Sequence, residues 1–583
     1  MKNMKNMKKL LLLTFLLAAV STASAQSTFT STLKAKAAKG ATIYGTVECN
    51  GVPMAGVAVS DGVNIVKTDK KGVYNLVSEK RNGNVFITIP SGYEATVAAG
   101  DVQPQYWAAL TSDPATAERH DFELTKVDNT KHVMLAITDI HLAHQFDDIA
   151  QFKNNVLPVI RAEVDKYRSQ GIPVYTMCMG DSSFDLFWYD YMFDIKDFRN
   201  TIKQVGYPTP IFASMGNHDN DGATIPNENT DFNATKPFRD TFGPTYYSFN
   251  IGDVHYIILD NIRYRNEKTK KMKKGKNMAG ARNYDHVVVE EQLEWLRKDL
   301  AMIEDKNTPI VVGMHAPVFR MLAEHNSKEL YSYFNDNEGE RTLPPALYFA
   351  STFAEFKQVH FLTGHSHKLI TTHCKEATAY PEIANIIDHN VGAICGAWWF
   401  TAAHGGPHLA VDGAPAGFKV FPVEGRDIEW YYTSTDCGAE KQFRAFDLNC
   451  VRDYYKTNGE MRVFLEVNPQ RTDFAKVEDN RVAIHIWDWA PDWKVTVTEN
   501  GKPLEVVHEP MENPQYTVAY CIPKSVWRRY LKKDAFTADP TAHMFHVVAS
   551  APDTTLEITV TDSFGNTFTE TMVRPKEFSK FLK

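Results

Sequence analysis

Six short, unbroken apolar runs dominate the middle of this 583-residue chain: Val133–Ile137, Val174–Met179, Ile211–Ala213, Tyr256–Leu259, Ile310–Val312 and Val359–Leu362. A strand with one wet face alternates apolar and polar residues, whereas one covered on both faces does not. The runs therefore predict strands buried on both sides. Helices to cover them are also legible. Ile149, Phe152, Val156, Ile160, Val164 and Tyr167 recur at spacings of three and four, as do Leu293, Leu296, Leu300 and Ile303. The texture over 129–437 is α/β.

The flanks read differently. Over 27–128, turn pairs such as Asn50-Gly51 and Asp61-Gly62 punctuate short runs like Gly45-Thr46-Val47. This predicts a small immunoglobulin-like β domain, similar to the carboxypeptidase-regulatory-like domains appended to many secreted enzymes. Over 438–583, alternation through Arg481–Trp487 and Leu556–Val560 predicts a second β-rich domain, with helix around Lys524–Lys532. Residues 1–25 read as a signal peptide. Lysines come first, Leu10–Val20 is apolar, and Ala23-Ser24-Ala25 precedes a cut at Gln26. That apolar run is too short to span a bilayer, so the expected product is exported, periplasmic or extracellular, without a transmembrane segment. Removing these residues, which carry four lysines and no acid, takes the formal charge from −8 to −12. Such an acidic chain is not a nucleic-acid coat. Seven cysteines in so long a chain make no disulfide scaffold.

Five of the apolar runs end in donor residues. Asp139-Ile140-His141 follows the first, Gly180-Asp181 the second and Gly216-Asn217-His218-Asp219 the third. His315 follows Ile310–Met314, and Gly364-His365-Ser366-His367 follows the last. Sites in open α/β sheets form just beyond the carboxyl ends of strands. Asp, Asn and His without thiolate suit Zn, Fe, Mn or similar ions. One carboxylate, such as Asp181, can bridge two ions, and the glycines let the chain turn sharply.

This ordered set resembles the calcineurin-like metallophosphoesterase superfamily over roughly 130–435, with the overall layout of secreted bacterial members that carry β domains at both ends. The resemblance implies a four-layer α/β-β/α sandwich holding two metal ions (Mn, Fe, Zn, Ni or Co). By that resemblance, Asp139, His141, Asp181 and His367 hold the first metal, and Asp181, Asn217, His315 and His365 the second. His218 corresponds to the catalytic histidine, with Asp219 expected to orient it. The implied activity is hydrolysis of a phosphomonoester or phosphodiester by a metal-bridging hydroxide, with His218 as acid or transition-state stabiliser. One departure stands out. Where many relatives read Gly-Asp-x-x-Asp, this chain has Gly180-Asp181-Ser182-Ser183-Phe184-Asp185, which leaves the usual orienting aspartate one place late. Purple acid phosphatases carry a tyrosine at the position of Phe184, so no tyrosinate–iron colour is expected. The neighbouring arginine of serine/threonine phosphoprotein phosphatases is missing as well.

Candidate substrate contacts are Trp188, Tyr189, Tyr191, Trp398, Trp399, Phe400 and His144, together with the basic run Arg263–Arg282, which holds nine Lys or Arg and one acid. The expected partner is a phosphate ester, from an envelope component or a small molecule, and the expected state is a monomer. The alternative is a protein that binds envelope glycan or polymer, with a vestigial metal centre. A complete ligand set favours the enzyme.

Overall fold

A computed structural model describes residues 27–268, 278–321, 330–334, 343–403, 405–527 and 538–582. The expected signal peptide, the middle of the basic run and most of the helix expected at Lys524–Lys532 lie outside the described residues.

Two six-stranded sheets form the centre. The first is built on β1 (Lys131–Ile137), β2 (Val174–Met179) and β3 (Ile211–Ser214), which pair in parallel in the order β3-β2-β1. The second contains β4 (Tyr247–Ile251), β5 (Val254–Ile258), β6 (Ile310–Gly313), β7 (Val359–Thr363), β8 (Leu369–His373) and β9 (Ile386–Val391), in the order β4-β5-β6-β7-β9-β8. β10 (Gly417–Glu424) returns to the first sheet antiparallel to β1. The six apolar runs fall on β1, β2, β3, β5, β6 and β7. The strands β8, β9 and β10 were not anticipated, because Thr371, Asp388, His389 and Lys419 interrupt their apolar character while remaining buried.

Alternate residues of β1 serve two cores, which explains the lack of alternation. Val133, Leu135 and Ile137 share a core with Phe152, Val156, Ile160 and Val164, on the helical segment that ends in α1 (Leu157–Arg168). Met134 and Ala136 belong to the core between the sheets, with Met177, Tyr256 and Val312. The sheets touch directly: Phe212 stacks on Phe249 at 3.8 Å, and His132 Nε2 lies 2.6 Å from the Tyr256 hydroxyl. At Gly313 a Cβ would stand 2.5 Å from Met177 Cε, so any larger residue there would have to displace the end of the Met177 side chain. α2 (Glu290–Leu300) covers the outer face of the second sheet with Leu293, Leu296 and Leu300. Acids in its first turn and bases in its last complement the helix dipole. Helix, sheet, sheet and helix make the four expected layers. Burying each such Leu, Ile or Phe contributes roughly 1.5–3 kcal/mol.

Residues 43–126 form two further sheets whose core runs on into the central one, with Phe86 edge-on to Trp295 at 6.1 Å. Residues 443–572 form two four-stranded sheets with their own core. This C-terminal region also carries helices at Leu448–Thr457 and Gly459–Val467, more helix than the alternation pattern predicts. It is fastened to the central sheets by a buried ion pair. Lys419 Nζ on β10, 0% exposed, lies 2.8 Å from Asp488 Oδ1. All seven cysteines described are free. No helix among the described residues is long and apolar enough to cross a membrane.

Candidate metal centre

The carboxyl ends of β1, β2, β3, β6 and β7 meet at one place. There the chain rolls over in the left-handed region at Asp139, His141, Asp181, His365 and His367, with φ between 49° and 68°. Side chains rarely adopt this conformation without surrounding support, and it concentrates at functional sites. Two glycines make room. A Cβ on Gly216 would meet Asp181 Oδ1 at 2.1 Å, and one on Gly364 would meet Thr138 Oγ1 at 2.0 Å.

The structure brings all seven expected ligands together as two adjoining donor sets. In the first, His141 Nε2 and His367 Nε2 are 3.1 Å apart. Asp139 Oδ1 lies 3.3 Å from His367 Nε2 and 3.6 Å from His141 Nε2. In the second, Asn217 Oδ1 lies 3.0 Å from His315 Nε2 and 2.9 Å from His365 Nδ1. Asp181 Oδ2 joins them, 3.5 Å from His141 Nε2 and 3.2 Å from His315 Nε2. The other Asp181 oxygen accepts the His218 backbone N–H at 2.7 Å.

The far sides of these ligands are held. His315 Nδ1 donates to Met179 O at 2.8 Å and His367 Nδ1 to Gly396 O at 2.9 Å, which turns both Nε2 lone pairs inward. Asp139 Oδ2 accepts from Thr138 Oγ1 and from His365 N, each at 2.9 Å.

A cation fits this set. Asp139 Oδ1 is buried and accepts no hydrogen bond, although it sits among imidazole nitrogens. Burial opposes ionisation of Asp139, but the His367 and His141 rings hold its carboxyl well below its ordinary value. Burial likewise opposes ionisation of Asp181, which His315 and His218 pull down. Burial pushes His141 down to about 4. His315 is raised to about 9, against burial, by Asp181. Negative charge is thus concentrated where inward-facing lone pairs have nothing to bind except a proton or a metal.

His218 stands beside the first set, its ring 5.3 Å from that of His141. Here the expectation for Asp219 is corrected. Its carboxylate accepts the backbone N–H groups of Ser182, Ser183 and Gly216 at 3.0–3.2 Å, so it pins the Asp181 loop to the Asn217 turn. Burial and Asp181 push Asp219 up to about 6. The residue that contacts His218 is Asp185, whose Oδ1 lies 2.8 Å from Nδ1. Although one place late in sequence, it reaches the ring because Asp185 opens a short 3-10 turn, Asp185–Phe187. Arg282 grips Asp185 with Nε and Nη2, and its Nη2 lies 3.2 Å from His218 Nδ1. Arginine, burial notwithstanding, holds the Asp185 carboxyl below its ordinary value. Nothing in the sequence singled out Arg282 beyond its place at the end of the basic run. Phe184 faces the site, stacked on His218 at 4.0 Å.

Of the proposed substrate contacts, Trp188 and Trp399 are core residues that donate to Ser183 Oγ and Ile140 O. Tyr189 donates to Asp221, Phe400 is buried, and exposed His144 packs on Phe193. Trp398 does border the site, 5.0 Å from the His141 ring. Cys395, not anticipated, lies with its Sγ 3.6 Å from His367 Nδ1.

Comparison with known proteins identifies the family. Three family models match in order: the N-terminal domain of calcineurin-like phosphoesterases over 41–127, calcineurin-like phosphoesterase over 132–369, and the C-terminal domain over 388–568. Purple acid phosphatase 15 of Arabidopsis thaliana is 27% identical over 217 residues, 33% of this chain. The match spans 36% of that relative, about a third of its length. Among solved structures, a dimetal phosphatase from Danio rerio is 13% identical, with TM-score 0.32 over 52% of this chain and 96% of its own. PhoD is 10% identical, with TM-score 0.34 over 81% and 91%. With family models covering most of its length, this chain belongs to the calcineurin-like phosphoesterase family.

Proposed function

We propose that this chain is an exported, metal-dependent hydrolase of a phosphomonoester or phosphodiester, with a catalytic unit near 129–437 between β domains near 27–128 and 438–583. The observation that carries the proposal is the placement of Asp181 Oδ2 between two otherwise separate donor sets. Asp139, His141, His367 and Asp181 would hold one cation, and Asp181, Asn217, His315 and His365 the other. Two such cations supply charge neutralisation for phosphoryl oxygens and a lowered pKa for water.

The protein's own groups supply the proton. His218 Nδ1 is engaged by Asp185, so Nε2 is the nitrogen that meets substrate. A proton carried there passes to the leaving oxygen, which is a poor leaving group as an alkoxide. Asp185, with Arg282 behind it, fixes the ring plane and stabilises the charged imidazole. Phe184 closes one face of that ring to water. The binding-only alternative requires none of this support around His218.

The test is hydrolysis of p-nitrophenyl phosphate and bis-p-nitrophenyl phosphate by protein reconstituted with Mn, Zn, Fe, Ni or Co, beside Asp181→Ala. The variant is expected to lose nearly all turnover. Equal activity in the two proteins overturns the assignment. Export is tested by N-terminal sequencing of the protein recovered from an expressing bacterium. Gln26 is the expected first residue, and an intact N-terminus retained inside the cell contradicts it.

A further inference from the structure

An aromatic row leads from the metal centre to solvent. Phe184, stacked on His218 at 4.0 Å, also meets the Trp398 ring edge-on at 5.1 Å. Phe187 follows at 5.0 Å from Phe184, and Tyr191 at 5.3 Å from Phe187. Phe184 and Phe187 are partly exposed. Tyr191 is 45% exposed and the adjacent Met192 79% exposed. Met192 has φ 51°, a conformation that costs an ordinary side chain roughly 1 kcal/mol or more. The chain accepts that strain while presenting a large apolar group to water, in a segment that follows the Asp181 loop directly.

We infer that Phe184, Phe187, Tyr191 and Met192, with Trp398 edge-on to Phe184 at the inner end, form a subsite for an apolar leaving group on the phosphoester substrate. The inference rests on the phosphoesterase reading above. The occupant follows from the position of His218. Its Nδ1 is held by Asp185, so Nε2 serves the leaving oxygen, and the carbon skeleton attached to that oxygen begins beside the ring stacked on His218. A polyol there would cover less of the aromatic surface and leave more of it wet. A flat ring or an alkyl chain buries both surfaces. Among the described residues, the cation over these rings is Arg282, 5.8 Å from the Phe184 ring centroid, and Asp185 engages it.

The test compares kcat/KM for three primary-alcohol esters of similar leaving ability: 2-naphthylmethyl, octyl and glycerol phosphates, each as the monoester and as its methyl diester. Metal-loaded wild type is expected to prefer at least one apolar ester over the glycerol ester by about tenfold or more. The naphthylmethyl and octyl arms separate an aromatic source from a lipid-like one. In Phe187→Ala and in Tyr191→Ala that preference ratio is expected to fall about 3- to 10-fold. A ratio is insensitive to the fraction of protein folded. A wild-type ratio near one, or a ratio unmoved in both variants, overturns the subsite while leaving the phosphoesterase reading intact. No hydrolysis of any ester, with p-nitrophenyl phosphate also inert, overturns both.

Discussion

Asp185→Asn isolates the support behind His218. The carboxylate is fully buried and accepts from His218 Nδ1 at 2.8 Å while Arg282 grips both its oxygens. Asparagine keeps the shape and one carbonyl oxygen but sets an amide N–H against a guanidinium donor. What is lost is a charge-assisted hydrogen bond to the imidazole, worth about 1.5–3 kcal/mol, or roughly 10- to 100-fold in kcat at about 1.4 kcal/mol per decade. The loss must depend on the leaving group. p-Nitrophenolate departs without a proton, whereas an alkoxide needs one, so kcat for an alkyl ester should fall by that amount and kcat for p-nitrophenyl phosphate by much less. The assay is steady-state kinetics on both esters, with metal content measured in the same samples. Equal losses on the two esters, or none on the alkyl ester, refute the role given to Asp185 and His218.

Other expectations follow from particular contacts. In Gly364→Ala the new methyl group would stand 2.5 Å from Asp139 Oδ2 and 2.0 Å from Thr138 Oγ1; tight metal content should fall by about one ion per chain, and an undiminished content contradicts the packing argument. Lys419→Ala strands the buried Asp488 carboxylate and should cost about 3–5 kcal/mol, while Lys419→Met with Asp488→Leu should recover most of it; both are read by denaturant unfolding. Burial pushes His132 down to about 4, so the fold holds its neutral ring. That contribution is complete above the unfolded value near 6.5 and is lost as pH falls toward 4. The Tm of wild type should therefore drop relative to His132→Phe across that window, and a constant difference between pH 8 and pH 4 contradicts it.

The sequence made the donor set legible because each ligand sits at the end of an apolar run, and covered strands announce themselves through lack of alternation. The same rule hid β10. Lys419 in its middle looks incompatible with a buried strand until Asp488, distant in sequence, supplies the counter-ion. β8 and β9 were hidden in the same way by Thr371, Asp388 and His389, whose partners also come from elsewhere: Asp488 for Thr371, the Val318 and Phe319 amides for Asp388, and His360 for His389. At the site, adjacency suggested Asp219 as the partner of His218. Local geometry reverses this, because the carboxylate turns back onto the amides of its own turn and of the neighbouring Asp181 loop. Asp185 was visible as a displaced aspartate, but the 3-10 turn that brings it to the ring was not. Arg282 is 97 residues from Asp185, a separation across which no periodicity carries information.

The central claim is that Asp181, set between the two donor groups, would be shared by two cations. Metal stoichiometry after reconstitution and exhaustive dialysis, by elemental analysis of wild type and Asp181→Asn, tests it most directly. Two ions per chain in wild type and less than one in the variant is the result expected. A single ion in wild type, or two retained without Asp181, contradicts it.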